Sequence, residues 1–158
     1  MIEKDAVDEI DWRELIELRW KQTAPTVRDW VEYLRTQEPR GVDIAIARFN
    51  LMVKWALSEV VLTEDLEERA NCIKQFIHIA THARQLRNYA TMYQISLALM
   101  SSDCSRLTKT WERVSVAEKQ SMKELEALAQ PLRNFHNLRM EMETAHIDNG
   151  CIPFIGKL

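Results

Sequence analysis

Residues 42–86 read VDIAIARFNLMVKWALSEVVLTEDLEERANCIKQFIHIATHARQL without a glycine or a proline, and residues 87–130 continue without either. Gly and Pro are the strongest backbone breakers. A segment this long that lacks both and is rich in Leu, Ala, Met, Glu, Lys and Arg predicts long helices joined by tight polar turns. The expected fold is all-α. From about Asp43 to Leu62 apolar residues lie nearly all round the helix, leaving Asp43, Asn50, Lys54 and Ser58 as a narrow polar strip, so this helix is expected to be central. Thr63, followed by Glu64 and Asp65, reads as the N-terminal cap of the next helix. In that helix Leu66, Ala70, Ile73, Ile77 and Ala80 form one apolar stripe, and Cys72, Phe76, Ile79, Ala83 and Leu86 form a second beside it. The polar strip opposite holds Glu67, Asn71, Lys74, His78, Thr81 and Gln85.

Working outward, a helix is expected from about Tyr89 to Met100, a turn at SSDCS, and a short helix within SRLTKTWERV. SVAE at 115–118 is a capping box, in which the Ser115 hydroxyl and the Glu118 side chain each satisfy an amide at the helix start. Met122, Leu125, Leu128 and Leu132 give that helix its core face. A last helix, from about Pro131 to Thr144, leads through a DNG turn to CIPFIG. On the N-terminal side, helices are expected in IEKDAVDEI and in WRELIELRW, where Trp12, Leu15, Ile16 and Trp20 fall near helical spacing. Another is capped by Thr26, carries the stripe Val27, Trp30, Val31 and Leu34, and is ended by QEPRG. No internal repeat or low-complexity linker is visible.

The chain has 158 residues, 46% of them hydrophobic, enough for one compact domain over 1–158. Its formal charge is −3, and 21 basic residues are scattered among 24 acidic ones, so no basic patch exists to track a nucleic acid. Cys72, Cys104 and Cys151 are an odd set without repeated spacing, and no charged-then-apolar leader opens the chain. A reduced, intracellular protein is expected. No apolar run approaches the roughly 18 residues of a membrane-spanning helix.

His78 and His82 stand four apart, a spacing that can put two imidazoles on one metal. They lie on the polar strip, no Glu follows His78, and His136 and His146 are distant, so solvated surface histidines are the simpler reading. Cys72 reads as a small core residue rather than a nucleophile, because no positioned base can be inferred. The 5 Trp and 7 Met are read as core, and no glycine-rich phosphate loop is present. Neither a cofactor nor an active site is visible. One class of catalyst needs none, because exchange factors act by binding a conformational state of another protein.

Read in order, ARFNLMVKW (47–55), DLEERA (65–70), HARQLRNYATMY (82–93), LALMSSDCSRLTKTWERV (97–114), RNFHNLR (133–139) and GCIPFIG (150–156) resemble the catalytic domain of Ras-type guanine-nucleotide exchange factors. The Trp-containing stretch to residue 35 is similar to fungal members in particular. The resemblance covers nearly the whole chain. It implies a multi-helix orthogonal bundle that grips the switch regions of a Ras-family small GTPase and stabilises its nucleotide-free form. It assigns the grip on switch II to two helices, one carrying Ile46, Ala47, Phe49 and Asn50, the other carrying Tyr93, Leu97 and Met100, with Ser101, Ser102 and Arg106 beyond its end. The residues alone leave open whether Ile46, Phe49, Tyr93 and Leu97 simply pack against one another. The partner implied is a Ras-family GTPase in the cytoplasm, with recruitment to membranes through that partner.

Three departures from the family pattern stand out. Met100 replaces the amide of the usual LNSS, Ser105 stands where an aromatic or apolar contact is common, and only Lys157 and Leu158 follow CIPFIG. In the family CIPFIG tucks under the domain and leads to a protruding helical hairpin that displaces switch I. The expectation is a partial domain, truncated at both ends, lacking that hairpin and low in exchange activity. The alternatives are a non-catalytic helical interaction module derived from such a domain and a metal-dependent helical enzyme using His78 and His82.

Overall fold

The computed structural model describes residues 41–144 and 150–154, with the backbone alone for 41–44. The helices expected within residues 1–40, and Asp148, Asn149, Ile155 and Gly156, lie outside the described residues. Two compact units divide the chain: residues 1–51 with 155–158, and residues 52–154.

Seven helices run through the described residues: α1 (Gly41–Leu62), α2 (Leu66–Gln85), α3 (Tyr89–Met100), α4 (Ser102–Ser105), α5 (Thr108–Glu112), α6 (Val116–Ala129) and α7 (His136–Thr144). No strand occurs among them, only an isolated parallel bridge between Asn88 and Ile152. The fold is all-α, as the absence of Gly and Pro from 42–130 requires.

The described part of the first unit is the opening of α1, where Ala47 is buried and Ile46, Phe49 and Asn50 are half-buried. In the second unit α2, α3 and α6 pack mutually, with α5 against α2 and α7 against α6. Ile73 and Ile77 of α2, Met92, Ile95 and Leu99 of α3, Leu125 of α6 and Leu138 of α7 are fully buried. Truncating any of these to Ala removes close-packed methylenes and costs about 2–5 kcal/mol. The second half of α1 is one-sided: Ala56 and Val60 are buried, while Lys54, Ser58, Glu59 and Leu62 face water. Trp55 is also exposed on one side and meets Phe76 edge-on at 5.4 Å, so it is not the core residue its type suggested.

Several local expectations need correction. The α2 cap is Asp65, not Thr63: its carboxylate accepts the Glu67 and Glu68 amides at 2.9 Å each. The Thr63 hydroxyl turns back instead and donates to the Glu59 carbonyl at 2.6 Å. A carboxylate reaches two amides at once and opposes the helix dipole, which a hydroxyl engaged behind it cannot do. Of the two α2 stripes, Ala70, Ile73, Phe76, Ile77, Ala80 and Ala83 are buried, Cys72 is half-buried, and Ile79 and Leu86 are exposed. Leu132 is 69% exposed rather than core, because α6 stops at Ala129. The last helix begins at His136, not Pro131, because Arg133, Asn134 and Phe135 adopt left-handed φ values of 50°, 56° and 55°. Half of the capping box forms: the Ser115 side chain accepts the Glu118 amide at 3.4 Å, while the Glu118 carboxylate accepts from the Ser115 hydroxyl instead of from a backbone amide.

Candidate functional site

Helix α3 and the turn after it carry six of the ten residues singled out for partner binding: Tyr93, Leu97, Met100, Ser101, Ser102 and Arg106. Asn88 caps the helix, accepting the Thr91 amide at 3.1 Å and donating through Nδ2 to the Thr91 hydroxyl at 2.9 Å. Ser101 ends it and also starts the next turn, since its hydroxyl accepts the Cys104 amide at 3.4 Å. Between these caps, Tyr89, Ala90, Met92, Tyr93, Gln94, Ile95, Ser96, Ala98 and Leu99 are buried, so α3 is enclosed on nearly every side. Leu97 is 37% exposed, and Met100 at the helix end is half-buried. Beyond the Ser101 cap, Ser102, Asp103, Ser105 and Arg106 are exposed. The outer end of α3 therefore presents one apolar side chain, a thioether and a short polar turn.

The turn is held from below. The Trp111 indole Nε1 donates to the Cys104 carbonyl at 3.1 Å, and the Arg106 and Leu107 amides bond the Ser102 and Cys104 carbonyls at 3.2 and 3.1 Å. Arg69 braces the neighbouring corner: Nε donates to the Thr110 hydroxyl at 2.9 Å, and Nη1 to the Thr63 and Glu64 carbonyls at 2.7 and 3.1 Å. Thr110 is itself buried, so this link ties α2 to α5 through a satisfied polar pair. Burial pushes the Cys104 thiol up to about 12, with Cys72 adding to the effect, and burial also raises the Tyr93 phenol.

Among the sequence-derived site residues, Ile46, Ala47, Phe49 and Asn50 belong to the first unit. The Asn50 Nδ2 donates to the Ile46 carbonyl at 2.9 Å, one turn back along α1. Tyr93, Leu97, Met100, Ser101, Ser102 and Arg106 belong to the second, where one helix and the turn after it bring them together. Ala47 is fully buried and Tyr93 is 7% exposed. Two residues absent from that reading, Phe135 and Phe154, stand directly against the Tyr93 ring. The signal available was aromatic placement within RNFHNLR and CIPFIG. Periodicity could not have paired them, because neither residue lies in a helix.

His78 and His82 are both exposed. The His78 Nε2 stands 3.6 Å from the Glu118 carboxylate, and the His82 Nδ1 faces the Gln85 side-chain oxygen at 3.0 Å. No group of three or more His, Cys, Asp or Glu able to hold a metal occurs among the described residues. Nor is any helix of the described residues long and apolar enough to cross a membrane.

The chain matches the family described as the RasGEF domain over residues 1–158. It is 41% identical over 156 residues to the guanine nucleotide exchange factor LTE1 of Candida glabrata, a match covering 98% of this chain and 12% of that protein. It is 36% identical over 156 residues to LTE1 of Saccharomyces cerevisiae, covering 98% of this chain and 11% of that protein. A more distant relative, Rap guanine nucleotide exchange factor 1 of Caenorhabditis elegans, is 35% identical over 117 residues, covering 74% of this chain and 11% of the relative. The chain thus corresponds to about a tenth of the length of each relative.

Proposed function

The chain belongs to the RasGEF domain family, and on that premise we propose that residues 1–158 act as an exchange-factor domain on a Ras-family small GTPase. They grip its switch II segment and promote release of GDP. The observation that carries this reading is the family match along all 158 residues, joined by relatives whose names are those of guanine nucleotide exchange factors. The outer end of α3 supports it, because an exposed Leu97 and a half-buried Met100 beside the polar turn of Ser102 and Arg106 suit a switch segment of mixed chemistry. Asn50, Ile46 and Phe49 on α1 supply the second contact surface, with Ala47 as the small residue behind it. Ser101 contributes by shaping the turn rather than by offering a free hydroxyl.

No bond of the protein's own making is required. Exchange is linkage: a partner that binds the empty GTPase more tightly than the loaded one weakens nucleotide binding by the same factor. A hundredfold loosening needs about 2.7 kcal/mol of differential affinity. A grip that binds both nucleotide states equally shifts nothing. The domain works in the cytoplasm and reaches membranes through its GTPase.

Release of a fluorescent guanine nucleotide from several Ras-group GTPases tests the reading, together with binding of the chain to each GTPase in empty and loaded form. Preference for the empty form with acceleration of nucleotide release is expected. Equal binding of both forms without acceleration would favour a non-catalytic interaction module. Replacing Arg106 by Ala is expected to weaken binding about fivefold, as loss of a single interface contact does.

A further inference from the structure

Tyr93, Phe135 and Phe154 come from three separate stretches of the second unit and meet as one cluster of rings. The Phe154 ring lies over Tyr93 with centroids 4.0 Å apart and planes tilted by 35°. Phe135 meets both edge-on, at 5.7 Å from Tyr93 and 5.2 Å from Phe154. Backbone pairing reinforces the cluster. The Ile152 amide donates to the Arg87 carbonyl at 3.0 Å, and the Tyr89 amide donates to the Ile152 carbonyl at 2.9 Å.

The described residues other than glycine with left-handed φ are Arg87, Arg133, Asn134 and Phe135. All four belong to the segments joined here. Apart from Asn134, whose residue type visits that region readily, such residues hold it only where surrounding contacts over-determine it. The ring contacts at Phe135 and the Ile152 pairing at Arg87 thus hold two residues in a backbone path that local preference would not choose.

Tyr93 is 7% exposed, whereas Leu97, one turn further along the same stripe of α3, is 37% exposed. The cover over Tyr93 ends before Leu97. We propose that Tyr93 is a positioning residue: clamped by Phe154 and Phe135, it fixes the setting of α3 and so the presentation of Leu97 and Met100 to the GTPase, without touching that partner itself. The inference rests on the exchange-factor reading above and reassigns Tyr93 within it from contact to brace.

The test compares the wild-type chain with Phe154→Leu, Phe135→Leu, Tyr93→Leu and Tyr93→Phe. Two quantities are read below each variant's melting temperature: affinity for the empty Ras-group GTPase that the wild type binds best, and amide hydrogen exchange across residues 93–100. Each leucine variant is expected to lose about fivefold or more in affinity and to exchange faster over 93–100. Tyr93→Phe, which keeps the ring, is expected to rescue both losses of Tyr93→Leu. A merely structural role would lower the melting temperature while the folded fraction bound normally. Unchanged affinity in the folded Phe154→Leu and Phe135→Leu proteins would overturn the proposal. So would failure of Tyr93→Phe to rescue, which would point to a phenol contact with the partner. If the wild type binds no GTPase the exchange-factor reading fails, and unchanged exchange over 93–100 in the leucine variants would then overturn the clamp separately.

Discussion

The Arg84 guanidinium holds the Glu141 carboxylate in a two-pronged grip, Nε to Oε1 and Nη2 to Oε2, each at 2.8 Å. It joins α2 to α7, while Glu124 of α6 stands further off at 3.7 Å from Nη1. The hydrogen bonds that Arg84 donates to Glu141 raise its pKa against the opposing effect of burial. Fork-to-fork pairs are the strong form of ion pair, but about a third of the Arg84 side chain remains in water, which screens it. A double-mutant cycle of Arg84→Met and Glu141→Gln is expected to show a coupling of about 1 kcal/mol in denaturant melts. The same cycle with Glu124→Gln is expected near zero. Equal couplings would mean that geometry does not distinguish the two carboxylates.

Gln94 is 1% exposed in the middle of α3, and its side-chain oxygen is buried without a hydrogen-bond partner. An unpaired buried acceptor costs about 1–3 kcal/mol, whereas an apolar chain of the same length costs nothing of the kind. Gln94→Met is therefore expected to raise stability by about 1 kcal/mol, read as a higher urea midpoint at unchanged slope. A lower midpoint would show that the amide is satisfied in solution.

Three consecutive left-handed residues precede α7, and they differ in tolerance. Asn adopts this backbone more readily than most residues, while a β-branched side chain is strained there. Asn134→Gly is expected to leave the melting temperature nearly unchanged, and Asn134→Val to cost about 1–2 kcal/mol. Identical melting of the two variants would remove the turn as described.

Buried thiols make a prediction about pH. Unfolded, Cys104 titrates near its ordinary value of 9.0, and in the fold burial pushes it up to about 12. Between those values the folded chain keeps a proton that the unfolded chain has lost, so the stability this group contributes is complete below pH 9 and is lost as pH climbs toward 12. Tyr89 and Tyr93, both raised first by burial, act in the same direction. Urea melts from neutral to alkaline pH are expected to show a decline that Cys104→Ala makes shallower. At neutral pH iodoacetamide is expected to modify the exposed Cys151 first and to reach Cys104 only on unfolding.

Helix identity was legible because it depends on what 42–130 lacks and on period, both properties of the chain alone. α3 was expected from Tyr89 to Met100 and forms there, and Ser115 caps α6 as SVAE implied. Boundaries that depend on a choice between competing local bonds were less legible. Thr63 and Asp65 are both good caps, and only the course of the chain decides which reaches the free amides. Leu132 continued the α6 stripe on paper, yet the left-handed turn after it breaks the period. At the candidate site, resemblance brought Leu97 and Met100 forward, but no spacing rule could join Tyr93 to Phe135 and Phe154. Gln94 gave no signal either, because a polar residue within a helix is ordinarily assigned to water.

The bridge between Asn88 and Ile152 has a consequence for how the chain acquires its shape. Its two sides are separated by α3 to α7, so closing it brings together parts of the chain whose loop entropy is lost before any contact rewards it. Helices can form and pair locally while a nascent chain is still emerging, but this closure must wait until Ile152 has left the ribosome. Before that moment the Tyr93 ring lacks the Phe154 ring that covers it in the finished fold.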